Sequence, residues 1–176
     1  DRGGEIFVRA SGGTYLALDT GEKTGCAPFK SLELTPSNHA FLVSLVTAML
    51  ADTQHPLTAE DRDRIDTAVS GLANVPRDQR SVSVLRELIG FGTGAADDIG
   101  NRLDKWAGSG SLAWVFDGEA DMIHLGADLI GFDITSFLDD PTIRNPLMMY
   151  LMHRVEQLIN GRAAGPIEMR LEAREL

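Results

Sequence analysis

Positive charge, cysteine and long apolar runs are all scarce in this 176-residue sequence. Its 16 Lys and Arg residues face 26 Asp and Glu residues, and the resulting net charge of −10 repels phosphate backbones and argues against direct nucleic-acid binding. Cys26 is the single cysteine, which excludes an intramolecular disulfide and favours a reducing compartment. No apolar run approaches the ~18 residues of a membrane-spanning helix. With 43% hydrophobic and 24% charged residues, the composition is typical of one globular domain.

Complete motifs for nucleotide binding are also missing. Lys23-Thr24 resembles the end of a phosphate-binding loop, but Glu22 and Ala17 occupy the two positions that require glycine. Three further glycines follow a predicted helix rather than a strand, which is the wrong setting for a dinucleotide-binding turn: Gly90, Gly92 and Gly94. The first segment is therefore interpreted as a turn, and the second as a loop between helices.

The sequence also gives little indication of a metal site or of a nucleophile. The four histidines are scattered along the chain: His39, His55, His124 and His153. His153 and Glu156 have the spacing of helical metal ligands, but no second such pair accompanies them, so a surface pair is expected. Cys26 is expected to be a small, semi-buried side chain rather than a nucleophile. The last helix carries three methionines and a tyrosine, and one side of it is expected to lie in the core: Met148, Met149, Tyr150 and Met152.

Residues 1–34 have the pattern of part of an α/β core. Residues 15–19 alternate enough to predict a strand between glycine turns. Residues 5–9 fit either a strand or a short helix.

Residues 35–108 change to the 3.6-residue period of amphipathic helices and predict a helical subdomain. Thr35-Pro36 and Thr58 begin its first two helices. Ser83 begins a third helix, which Gly90 closes. A fourth helix carries its apolar residues on one face: Ile99, Leu103 and Trp106.

Residues 109–161 return to an α/β pattern. The apolar run at 112–116 predicts a strand before an Asp117-Gly118 turn, and the run at 129–132 predicts a buried parallel strand ending at Asp133. A long helix follows from Asp140-Pro141. It is expected to stop before Gly161, with Pro146 kinking it or marking its true start, and residues 162–176 form an atypical polar tail.

Asp117 and Asp133 are the two aspartates that end apolar runs. An Asp at a strand end can bind Mg²⁺ in ATPases, usually with a second acid directly after it, but Gly118 and Ile134 follow here. Capping or turn roles are therefore favoured for both. The sequence assigns no catalytic, cofactor-binding or metal-ligating residue.

Several stretches, in a fixed order across residues 1–161, resemble the CagE/TrbE/VirB family of conjugal-transfer and type IV secretion ATPases. They are residues 1–4 with 12–16, 25–29, 34–36 before a helix, the Arg102…Trp106 helix, 114–117, 131–135, 138–141 and 150–156.

The resemblance implies a partial RecA-like parallel sheet interrupted by the mostly helical subdomain at 35–108. It places a phosphate-binding loop before Asp1, a strand end at 1–3 followed by a helix at 5–9, and an Asp-Glu strand for Mg²⁺ and water after Gly161. Residues 165–170 depart from that pattern, and Glu168 alone is not assigned the catalytic role. ATP and Mg²⁺ are thus implied for the family. This chain, which begins without Met, is expected to be a non-catalytic internal fragment.

Expected partners are other type IV secretion components and further copies of the chain, because a partial sheet leaves unpaired edges. The expected location is the cytoplasm. A further expectation is peripheral attachment to the inner membrane through partner proteins. Two alternatives stay open. One is a free-standing interaction module whose helical block binds the secretion machinery, and the other is a small unrelated α/β enzyme that uses Asp133.

Overall fold

The computed structural model describes residues 2–90, 98–123 and 129–161. In chain order its helices and strands are α1 (Arg2–Ala10), β1 (Thr14–Ala17), α2 (Pro28–Ser31), α3 (Pro36–Met49), α4 (Ala59–Gly71), α5 (Val82–Ile89), α6 (Ile99–Asp104), α7 (Ala113–Phe116), β2 (Ile130–Asp133) and α8 (Pro141–Gly161). Short 3₁₀ turns lie at Leu72–Asn74, Arg77–Gln79 and Thr135–Phe137. The predicted α/β class is confirmed. Gly92, Gly94, His124 and the tail at 162–176 lie outside the described residues.

The two strands form a parallel pair in which Thr14 lies opposite Ile130 and Ala17 opposite Asp133. Both predicted strands are therefore confirmed, each shifted by one or two residues. The prediction that the second strand is buried is wrong, since all four of its residues are partly exposed. The reason is that each strand has a single neighbour in the described part of the chain, so the sheet is too narrow to enclose either one.

Residues 5–9, which fitted either a strand or a short helix, are helical and belong to α1. α1 is supported by an ion pair one turn apart, with Arg9 Nε 2.8 Å from Glu5 Oε1. Val8 of this helix is buried. The helix already includes Arg2 and Gly3, so the strand end that the resemblance implied there is wrong for these two residues.

Within the helical block α3–α6, the first two helices begin at the caps that the sequence predicted. The Thr35 side chain accepts a hydrogen bond from the Asn38 backbone N–H at 3.2 Å and so caps α3. Thr58 and Asp61 form a reciprocal capping box at the start of α4. Each bond satisfies a backbone donor that the first helical turn would otherwise leave unpaired.

The start of α5 differs from its prediction by one residue. Ser81 is the N-cap, since its hydroxyl accepts from the Val84 N–H at 3.1 Å, and the helix therefore begins at Val82 rather than Ser83. Gly90 ends the helix with a φ of +74°, a left-handed conformation that favours glycine.

Residues 112–116 contain the short helix α7, so the strand predicted there is wrong. The Asp117 N–H donates to the Ala113 carbonyl at 2.9 Å and closes a helical turn. Val115 and Phe116 are consecutive and both buried, which a strand with one buried face does not allow. A run of five apolar residues does not distinguish a buried strand from a buried helical turn by its period.

The last helix, α8, begins at Pro141 as predicted. It continues through Pro146 and includes Gly161, so its predicted end is one residue too early. Leu147, Tyr150 and Leu151 are fully buried on one side of it. Across the described ranges, no helix combines the length and the apolarity needed to cross a membrane.

One apolar core runs through the helical block and the α/β elements. Trp106, just after α6, stacks on Phe116 of α7 with ring centroids 6.0 Å apart. Tyr150 of α8 meets the same ring edge-on at 6.0 Å. These three aromatic side chains are almost completely buried and join the helical block to α8.

Candidate functional site

Asp133, at the carboxyl end of β2, accepts hydrogen bonds from Thr135 and Tyr15. The Thr135 backbone N–H and hydroxyl donate to Oδ1 at 3.1 and 2.6 Å, and the Tyr15 hydroxyl donates to Oδ2 at 3.0 Å. Burial and then the adjacent Asp133 carboxylate raise the pKa of Tyr15, which keeps its hydroxyl a donor. This geometry agrees with the turn role that the sequence favoured for Asp133.

Asp117 connects three segments of the chain. Its Oδ1 accepts from the Ser83 backbone N–H at 3.2 Å, and its Oδ2 accepts from the Ser83 hydroxyl at 2.5 Å and the Gly108 N–H at 2.7 Å. These bonds hold the start of α5 and the loop after α6 against the end of α7. The predicted capping role is therefore present, although Asp117 follows a helix rather than a strand.

A polar cluster that the sequence analysis did not single out centres on Asp121. Its carboxylate accepts from the Ala27 N–H at 2.9 Å and from the Ile123 N–H at 3.1 Å. The Tyr150 hydroxyl and Arg154 Nη1, the latter at 3.3 Å, complete the set of donors. The Asp121 and Arg154 side chains are only 9% and 19% exposed. Burial and the Asp121 charge raise the pKa of Tyr150, so the phenol remains a donor.

This Asp121 cluster joins the loop before α2, the loop after α7 and the middle of α8. An open cavity of about 390 Å³ lies beside it, with Lys30 and Arg154 among its lining residues. The Lys30 ammonium donates to the Gly118 carbonyl at 3.2 Å and the Glu119 carbonyl at 2.7 Å. Both cations on the cavity wall thus hold loops in place. The one sequence signal for the cluster was the one-turn spacing of Tyr150 and Arg154 on α8.

His153 lies at the contact between α3 and α8, rather than in the surface pair with Glu156 that the sequence predicted. Its Nε2 is 2.9 Å from Asn38 Oδ1, and its ring stacks on Phe41 with centroids 3.7 Å apart and planes 4° apart. Asn38 Nδ2 donates to the Glu33 carbonyl at 2.8 Å, which turns Oδ1 towards His153. Nε2 is therefore the protonated nitrogen.

The environment of His153 predicts a pH-dependent stability. Burial lowers the pKa of His153 below its ordinary value of 6.5, with a smaller opposing effect of Glu156. The folded state then binds fewer protons than the unfolded state, so stability is complete above the ordinary pKa and falls as the pH drops through it. We expect His153→Gln to reduce this loss, measured by urea unfolding above and below pH 6.5. Identical pH dependence in both proteins would contradict the assignment.

Cys26 and the methionines of α8 differ in how deeply they are buried. Cys26 is 1% exposed, and burial raises the pKa of its thiol to about 12, so it is not a nucleophile under ordinary conditions. Met148 and Met149 pack partly against the core, whereas Met152 is 44% exposed.

Comparison with known proteins identifies the family to which these features belong. No family model matches the chain. The type IV secretion system protein virB4 of Bartonella henselae is 43% identical over 162 residues, which cover 92% of this chain and 20% of that protein. Protein virB4 of Rhizobium radiobacter is 37% identical over 163 residues, and the type IV secretion system protein PtlC of Bordetella pertussis is 36% identical over 169 residues, each with the same coverage.

This chain belongs to the VirB4 family. It spans 20% of the length of these VirB4 relatives.

ATP and Mg²⁺, which the ATPase resemblance implies for VirB4 proteins, do not fit the described residues of this segment. The Thr24 hydroxyl donates to the Val115 carbonyl at 2.6 Å and accepts from the Cys26 N–H at 3.0 Å, so it is unavailable to a phosphate-bound metal. The Lys23 side chain is 73% exposed, and its nearest ionic partner is Glu119 at 4.0 Å. Nowhere in the described ranges do three His, Cys, Asp or Glu side chains form a group that could hold a metal.

Proposed function

We propose that this chain is a segment of a type IV secretion motor ATPase and that it supplies scaffold rather than catalytic groups. The observation that carries the first part is the 43% identity to the Bartonella henselae protein along nearly the whole chain. The second part is supported by two features: the missing phosphate-loop pattern, and the internal hydrogen bonds that occupy Thr24 and Asp133.

A RecA-like sheet is the fold that we propose for the motor domain. The parallel strands β1 and β2 are two members of such a sheet, and the helical block α3–α6 lies in the connection between them. Parallel strands need a long crossover connection, and helices cover the faces of parallel sheets. The position of α1 on the strand pair is compatible with that arrangement.

The chemistry of phosphoryl transfer determines which groups of the motor must be catalytic. The reaction depends on positioning and on electrostatic stabilisation by a loop lysine, backbone amides and Mg²⁺. In our proposal other segments of the motor supply these groups. This segment fixes the loops at the strand ends through Asp133 and fixes α8 through the Asp121 cluster.

A chimera tests the motor assignment. The aligned segment of the Bartonella henselae protein would be replaced by this chain, and Mg²⁺-dependent ATP hydrolysis would be compared with that of the unmodified protein. We expect the chimera to retain hydrolysis, whereas a Gly/Ser linker of equal length in the same place abolishes it. A chimera that folds by circular dichroism but is inactive, or an unmodified protein that is itself inactive, would contradict the proposal.

We further propose that the chain works with other components of a type IV secretion system, in the cytoplasm or bound to the inner membrane through those components. The names of the VirB4 and PtlC relatives support the first part.

We expect the isolated chain to self-associate through α1 and the edges of the strand pair. Ile6 and Phe7 on α1 are 68% and 66% exposed, and covering such side chains removes apolar surface from water. Replacing both with Ser is expected to shift the chain towards monomer in multi-angle light scattering. The matched control replaces Leu138 and Met152, which are 48% and 44% exposed elsewhere. A concentrated wild-type chain that stays monomeric would contradict this expectation.

A further inference from the structure

We propose that the groove between α4 and α5 is a docking site for a protein segment that carries an aliphatic residue beside a Lys or Arg. The groove has a volume of about 240 Å³, and Glu60, Asp63, Thr67, Leu88 and Ile89 are among its lining residues. This inference goes beyond the motor assignment, because it concerns a surface of the helical block that takes no part in nucleotide chemistry.

The floor of the groove is apolar. Leu88 is 40% exposed, although the other leucine and isoleucine of α5, Leu85 and Ile89, are buried. The Leu88 methyl groups lie against Gly71, where an added Cβ would be 3.5 Å from them. Leu88 lines the groove, so its exposed side is accessible from it. An aliphatic side chain placed there would bury apolar surface against Leu88.

The α4 wall of the groove is acidic. Glu60, Asp63 and Thr67 have the spacing that places residues on one face of a helix, and all three are exposed. Among the described residues Glu60 and Asp63 form no close ion pair, although the negative charge of Glu60, after those of Asp98 and Asp61, raises the pKa of the Arg64 guanidinium. Glu60 lies in the first turn of α4 and stabilises the helix dipole there, but Asp63 lies beyond that turn, where the effect has decayed.

Arg64 is the one cation on this wall among the described residues, and it is paired with Asp98. Arg64 Nη1 lies 2.9 Å from Asp98 Oδ2, and its Nη2 donates to the Ile89 carbonyl at 3.4 Å. The Asp98 side chain is only 6% exposed, so Arg64, itself 24% exposed, directs its charge into the block. The groove therefore combines an apolar floor with two exposed carboxylates. The chemistry that complements it is an aliphatic side chain flanked by a positive charge, and a phosphate-rich surface would be repelled.

The test uses two synthetic peptides of equal length as probes, one with alternating leucine and lysine and one with glutamate in place of lysine. Binding is measured by isothermal calorimetry with the whole chain and with three variants. We expect the leucine–lysine peptide to bind the wild-type chain, and both Leu88→Ser and the pair Glu60→Gln, Asp63→Asn to bind about tenfold more weakly. The matched control pair, Glu22→Gln with Asp139→Asn, removes the same charges elsewhere and is expected to leave binding unchanged.

Three outcomes would overturn the proposal. One is no binding by the wild-type chain, and another is an equal loss in the control pair, which would mean that net charge alone attracts the peptide. The third is a wild-type dimer that Leu88→Ser converts to monomer in light scattering, because the occupant would then be a second copy of the chain. Loss confined to the groove variants, with the oligomeric state in light scattering unchanged between the wild-type chain and those variants, supports the proposal.

Discussion

Replacing Asp121 with Ala is expected to lower the free energy of unfolding by roughly 3 kcal/mol. The substitution removes the acceptor of two backbone N–H groups, one arginine and one buried phenol. Arg154 is 19% exposed, so its charge would remain largely buried without a counterion. Removing one partner of a buried ion pair lowers stability by more than the intact pair contributed, because the desolvation penalty of the remaining charge is then uncompensated.

The measurement is urea unfolding followed by circular dichroism. Asp121→Asn keeps one acceptor oxygen but not the charge, so an intermediate loss is expected. Asp139→Ala is the matched control at an exposed position, with an expected change within about 0.5 kcal/mol. An Asp121→Ala loss no larger than that of the control would show that the cluster does not hold the three segments together.

Replacing Trp106 with Ala is expected to destabilise the chain by about 4 kcal/mol. The indole is fully buried, so its removal leaves a cavity beside Phe116, whose ring centroid lies 6.0 Å away. The indole N–H also donates to the Met49 carbonyl at 3.0 Å, and that carbonyl, at the end of α3, would lose its donor. Trp106 thus stabilises the helical block and its contact with the α/β elements at the same time.

The same variant tests whether the helical block and the α/β elements unfold together. Trp114 remains as a fluorescent probe of the α7 region, while far-UV circular dichroism reports mainly on the longer helices. Because one apolar core joins these parts, we expect the two transitions to coincide in the wild-type chain and to shift together in Trp106→Ala. Two separate transitions would show that the subdomain at 35–108 folds as an independent unit. Met152→Ala, at a 44% exposed position, serves as the control with a small expected change.

Local signals predicted the helices with caps and failed for the short apolar run at 112–116. Thr35 and Thr58 each combine a capping side chain with a following amphipathic pattern, so local chemistry and packing agree there. The five residues at 112–116 carry no cap and no full helical period. Their helical turn is determined by the burial of both Val115 and Phe116, which depends on tertiary packing.

The polar site was less predictable than the fold, because its contacts join distant parts of the sequence. Asp121 lies 94 residues from Ala27 and 29 from Tyr150, and no motif connects them. His153 was correctly placed on a helix, but its partner Asn38 lies 115 residues earlier. By contrast, Asp133 binds Thr135 two residues away, and the sequence indicated its turn role.

We propose that this VirB4 segment supplies scaffold to a motor and contributes no ATP chemistry of its own. Mg²⁺-dependent ATP hydrolysis by the purified chain tests it most directly, with Asp133→Asn measured in parallel. We expect turnover no higher than that of buffer for both proteins. Turnover above buffer by the wild-type chain would show that the chain has ATP chemistry of its own, and its loss in Asp133→Asn would instead support a small enzyme that uses Asp133.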